Sequence, residues 1–138
     1  MNTGIMPKTK KKSLRAIKQN AWKLFSEYVR RKNADRDGFT HCYTSGVRAH
    51  WKELQCGHAI GGRHNAVLFD EEICRPQTLA ENVFGRGNYP VFTTKLIKEK
   101  GMEWWEKKLE GARAVVKYSR SDIEDLIQTY KQKLEELA

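Results

Sequence analysis

Apolar positions recur at steps of three and four from Leu14 onward. Leu14, Ile17, Ala21, Leu24, Phe25, Tyr28 and Val29 make one stripe, which predicts an amphipathic helix from Ser13 to about Lys32. Ser13 suits its N-cap. Aromatics at helical spacing read as packing residues, so Trp22, Phe25 and Tyr28 belong to the core rather than to a base-stacking surface. Lys18, Lys23, Arg30 and Arg31 occupy the other faces. A turn-rich loop follows from Asn33 to Gly38. It matches the start of a calcium loop only weakly, because no glutamate falls at the required later position.

The pattern then changes. Phe39 to Tyr43 and Trp51 to Ala59 read as extended. Ala66 to Phe69 is a short apolar run and a second candidate strand. Glu72 to Arg75 continues an extended path until Pro76 stops it. Thr78 and Glu81 have capping-box spacing for a short helix that carries Asn82. After Arg86-Gly87-Asn88 the chain reads as helical throughout. Tyr89 to Lys100 is one helix, closed by Gly101. Met102 to Leu109 is another. Ser121 and Glu124 form a second capping box, and Ile123, Leu126, Ile127, Tyr130, Leu134 and Leu137 give the last helix an apolar stripe. That stripe either closes the domain or pairs with a second copy as a homodimer.

No internal repeat or long linker divides the 138 residues. The expected organisation is a flexible basic arm over residues 1–12 and a single domain over 13–138, helical from about residue 89. The fold class is α+β: a small hairpin and helix with helices at both ends.

Lys and Arg total 26 against 17 Asp and Glu, a formal net charge of +9. That excess favours polyanions through counterion release, so nucleic acid is the expected partner. Lys10, Lys11 and Lys12 read as a DNA-gripping arm or as a solubilising tail. No apolar run reaches the roughly 20 residues that span a bilayer, and the charged start has no apolar segment behind it. No membrane partner is expected, and the location expected is the cytoplasm. The odd count of three cysteines argues against a disulfide framework, so Cys56 and Cys74 read as buried apolar side chains.

The chemistry concentrates in Leu54-Gln55-Cys56-Gly57-His58-Ala59-Ile60-Gly61-Gly62-Arg63-His64-Asn65. An apolar run ends in a histidine, and a Gly-rich turn with a second histidine and an arginine follows. Cys42-Tyr43-Thr44-Ser45-Gly46 resembles a zinc-knuckle turn, Cys-x-x-Cys-Gly, without its second ligand. Pro76-Gln77-Thr78-Leu79-Ala80-Glu81-Asn82 resembles the matching half, Pro-Gln-Cys-x-x-Cys-Asn, without either cysteine. Together with Phe69-Asp70-Glu71-Glu72 and Gly85-Arg86-Gly87-Asn88-Tyr89, the chain resembles the NinG/Rap family of lambdoid phage recombination endonucleases, which is related to the HNH (ββα-metal) nucleases.

The resemblance implies a ββα-metal core and metal-dependent cleavage of branched DNA, such as junctions and strand-invasion loops, in the host bacterial cytoplasm. His58 is the expected general base, because neutral imidazole is poised near physiological pH. The alternative is a histidine that plugs a turn by hydrogen bonding. Asn82 matches the position that offers Mg²⁺ or Mn²⁺ an amide oxygen from the helix. HNH enzymes often place an acidic ligand before the catalytic histidine; Gly57 stands there, so a second ligand is sought in His64 or Asp70. Arg63 and His64 are further candidates for the catalytic centre. Arg30, Arg31, Arg63 and Arg86 are candidate DNA contacts beside the lysine arm. Cys42 alone remains of four zinc thiolates, with Ser45, Thr78 and Glu81 at the other positions, so a structural zinc is expected to be absent. Two rivals stand beside the endonuclease: a DNA-binding module without catalysis, and a protein-interaction role for the helical tail.

Overall fold

The computed structural model describes residues 11–62 and 64–137. Helix α1 spans Leu14–Arg31, and the Ser13 hydroxyl accepts from the Ala16 N–H at 3.1 Å to cap it. Its buried stripe is Ile17, Ala21, Phe25 and Val29. The last helix, α5 (Arg120–Glu136), buries Ile123, Ile127 and Tyr130. Ile17 and Ala21 cluster with Ile123 and Ile127, and Phe25 meets the Tyr130 ring edge-on at 5.2 Å. The C-terminal stripe is therefore used inside the chain, against the first helix.

Among the described residues four short strands form two antiparallel pairs. β1 (Phe39–His41) pairs with β2 (Arg48–His50), and β3 (Gln55–His58) pairs with β4 (Cys74–Gln77). In the second pair Gln55 stands opposite Gln77, Gly57 opposite Arg75 and His58 opposite Cys74. The α+β class expected from the pattern is thus present, as helices around two small hairpins.

Several local expectations are corrected. The run at 66–69 is no strand: Asn65–Leu68 is a single helical turn, α2, with Val67 and Leu68 buried. A four-residue apolar run carries no period that separates the two. Pro76 lies inside β4 instead of ending it. Its carbonyl accepts from the Tyr43 N–H at 2.8 Å, so at this register its backbone faces away from β3 and the missing N–H costs no ladder bond. Trp51–Glu53 is a 3₁₀ turn capped by the His50 side chain rather than extended chain. The capping box of α5 is Ser119 with Asp122, not Ser121 with Glu124.

β4 leads into a π-helical turn, Ala80–Phe84, which carries Asn82. Helix α3 (Tyr89–Lys100) ends at Gly101 as expected, and α4 (Met102–Gly111) runs two residues past the expected Leu109. Phe92, Leu96 and Trp105 join Phe25, Val29, Cys56, Ile73 and Cys74 in the main core.

Candidate functional site

His58 ends β3 on the face turned toward α1. The residue is 7 % exposed, and its ring stacks on Trp22, with centroids 5.4 Å apart and planes 16° apart. Nε2 lies 3.1 Å from the carbonyl oxygen of Leu68, the last residue of α2. A carbonyl only accepts, so Nε2 carries the proton, and in the neutral ring the lone pair is on Nδ1. The neighbouring Gly57 is buried, and the space above it is filled. A Cβ there would stand 1.8 Å from Gln77 Oε1. Gln77 is fully buried; its Nε2 donates to the Gly87 carbonyl at 2.8 Å and to the Thr44 hydroxyl at 3.0 Å. Its Oε1 has no hydrogen-bond donor and is pressed against the Gly57 backbone.

Asn82 sits at the other end of β3. Its Nδ2 donates to Gln55 Oε1 at 2.8 Å, which leaves the carbonyl oxygen as the acceptor end of that amide. Asn82, Gln55, Trp22, Ser26 and Arg30 line one cleft of about 330 Å³. Gln55 and His58 are three residues apart on a strand, roughly 10 Å. The structure therefore puts His58 and the Asn82–Gln55 contact at opposite ends of β3, with Trp22 of α1 stacked on the first and lining the cleft of the second.

The other candidates lie elsewhere. Asp70 caps the turn Glu71–Ile73 and pairs with Lys108 at 3.0 Å, a partner it shares with Glu72. His64 is exposed and lines a separate cleft with Lys18 and Arg113. Asp70, His64 and Asn82 thus occupy three different clefts. Among the described residues no group of three or more His, Cys, Asp or Glu side chains is placed to hold a metal ion. Arg30 is half-buried and structural: it donates to the Trp51 carbonyl at 3.2 Å and to Ser26 at 3.0 Å, and its guanidinium lies over the Trp51 ring. Arg31 pairs with Glu27 at 2.9 Å. Arg86 is exposed, with a left-handed φ of 52°. Lys11 and Lys12 are exposed before α1, whereas Lys10 and Arg63 lie outside the described residues.

The knuckle positions do converge. Cys42 Sγ accepts from the Thr78 N–H at 3.3 Å and from the Ser45 N–H at 3.4 Å, and the Thr78 hydroxyl accepts from the Glu81 N–H at 3.2 Å. Burial pushes the Cys42 thiol up, but the donors from Ser45, Thr78 and Thr44 outweigh it and bring it down to about 7. His41 is exposed and takes no part.

The family model for the bacteriophage lambda NinG protein matches residues 5–138. The chain belongs to the NinG family. No curated protein and no solved structure matches it. No helix among the described residues is long and apolar enough to cross a membrane.

Within this NinG chain the knuckle geometry does not fit zinc. One thiol, two hydroxyls that stay protonated near neutral pH and one carboxylate are a poor tetrahedral donor set. Hydrogen bonds to Cys42 tie the two halves of the knuckle together. Three determinants of the site were missed by sequence reasoning: the Leu68 carbonyl, the Trp22 stack and the Gln77 amide. Gln77 alternates with Pro76 in a strand too short to show a period, so no local signal marks it.

Proposed function

We propose that this NinG-family protein is a metal-dependent endonuclease of branched DNA in phage recombination, with His58 as the general base. The carrying observation is the bond from His58 Nε2 to the Leu68 carbonyl. It orients the ring and fixes the proton on Nε2, so that Nδ1 is the atom that takes a proton when the neutral ring acts as base. Support also comes from the order of the elements: a strand ending in histidine, a connection that carries α2 and a 3₁₀ turn, a second strand paired with the first, and a helical turn with asparagine. A divalent cation such as Mg²⁺ or Mn²⁺, when bound, supplies neutralisation of the scissile phosphate and of the leaving oxygen. Asn82 Oδ1 is the protein oxygen offered to it. One such oxygen makes a weak site by itself, so DNA phosphates have to complete the shell. The net charge of +9 attracts the substrate.

Two observations favour a second reading, a DNA-binding scaffold without cleavage. His58 is almost fully buried, and Gln77 fills the space where a side chain at position 57 would stand. Both readings predict salt-sensitive DNA binding, so binding does not separate them. A cleavage assay on a four-way junction with Mg²⁺ or Mn²⁺ does. Wild-type chain should cut, and His58→Ala should lower the rate by about a hundredfold or more while junction affinity stays within about twofold. His58→Gln, which keeps a donor for the Leu68 carbonyl, guards against simple unfolding. Full cleavage by both variants rejects His58 as base, and no cleavage by a folded wild type leaves the scaffold reading.

A further inference from the structure

We infer that the cleft at the start of α2 holds a phosphate of the DNA strand beside His58. This rests on the DNA-binding part of the proposed function. The cleft measures about 820 Å³ and is lined by Lys18, His64, Asn65, Arg113 and the apolar stretch around Val115. Among the described residues no carboxylate lines it. Acids line the two neighbouring clefts: Asp70 and Glu72, both paired with Lys108, across Ala66 and Ala112, and Asp122 and Asp125 beyond Val116, where the Asp122 carboxylate accepts from the Ser119 N–H.

The cleft is built, not incidental. Asn65 is its hub. Its Oδ1 accepts from Lys18 Nζ, its Nδ2 donates to the Val116 carbonyl at 2.9 Å, and its own carbonyl accepts from the Tyr118 hydroxyl at 3.0 Å. These bonds tie α1, α2 and the segment between α4 and α5 into one concave basic wall. Asn65 accepts only one proton of the Lys18 ammonium, so two donors and the positive charge are available to a phosphate. Arg113 and His64 are exposed on the rim.

Its position relative to His58 gives the cleft a role. α2 is only four residues long, about 6 Å. Its first residue forms the wall of the cleft and its last carbonyl holds the His58 ring. On the other side, Lys18 is one turn before Trp22 on the same face of α1, and Trp22 stacks on that ring. A strand whose phosphate rests between Lys18 and Arg113 is therefore separated from the proposed base only by the single turn of α2 on one side and by Trp22 on the other.

The test uses the full chain, a fluorescent four-way junction, no added divalent cation, and a salt series. Lys18→Gln keeps a donor for Asn65 but loses the charge, and Arg113→Gln changes an exposed side chain. Each should weaken binding about three- to tenfold at low salt and lower the slope of log K against log salt by about 1. Lys98→Gln, an exposed charge on α3, is the control and should do neither. Unchanged affinity and slope in both cleft variants overturn the inference, as does an equal loss in Lys98→Gln, because affinity then follows net charge alone. A wild type that binds here but does not cut the junction once Mg²⁺ or Mn²⁺ is added removes the endonuclease reading and leaves the cleft standing. A wild type that does not bind overturns both.

Discussion

Gly57 has no side chain because Gln77 takes the space one would need. A methyl group at position 57 would meet Gln77 Oε1 at 1.8 Å, and the amide is held in place by its bonds to Gly87 and Thr44. Gly57→Ala should therefore cost roughly 1–3 kcal/mol in denaturant unfolding. Combining it with Gln77→Ala should cost less than the two single losses added, since each change relieves the other. An unchanged unfolding midpoint in Gly57→Ala would show that the amide moves aside freely. Cys42 gives a second residue-scale expectation. Its folded pKa of about 7 lies below the ordinary 9.0 of the unfolded chain, because donors from Ser45, Thr78 and Thr44 outweigh the upward push of burial. The folded chain then releases this proton first. Stability from this group is complete above pH 9.0, falls as the pH drops, and is gone below about 7. Wild type should gain stability relative to Cys42→Ser between those limits. Parallel pH profiles for the two chains would reject the hydrogen-bonded thiolate. Burial pushes the Cys74 thiol up, but that contribution is common to both chains and cancels in the comparison.

At the scale of elements, the helices follow from their own residues and their ends need the structure. The stripes of α1 and α5 have the period of a helix with one buried face, so both were readable. The start of α5 was not, because Ser119 and Ser121 are both plausible caps. The structure chooses Ser119: its hydroxyl accepts from the Asp122 N–H at 3.1 Å, and the Asp122 carboxylate accepts from the Ser119 N–H at 2.9 Å. Ser119→Ala should lower stability by about 1 kcal/mol. Ser121→Ala should change it by no more than about 0.5 kcal/mol, both read by thermal unfolding. The reverse order would place the cap where the spacing alone suggested. The strands were harder. Arg48-Ala49-His50 shows no apolar alternation and forms β2 through pairing with Phe39–His41. α2 is a single turn, too short for any period to show.

At the scale of the whole molecule, α1 organises the site. One face packs α5 through Ile17, Ala21 and Phe25. Another runs Lys18, Trp22, Ser26 and Arg30 at steps of four, from the basic cleft, over His58, to the cleft that holds Asn82. Trp22 thus packs, as its spacing suggested, yet what it packs against is the proposed base. Of the two uses foreseen for the C-terminal stripe, the structure shows the one inside the chain: Ile123, Ile127 and Tyr130 are buried against α1.

The residues alone determined the long helices, the positive charge and the family, because each depends on local order, on composition or on a run of motifs read in sequence. Position in space decided the rest. Leu68 supplies the carbonyl that sets the His58 tautomer from ten residues away. Gln77 excludes a side chain from Gly57 across the strand pair. Asp70 is drawn to Lys108 from 38 residues off. Such partners are chosen by chain packing, which brings distant groups within hydrogen-bond reach, and no local period records that choice.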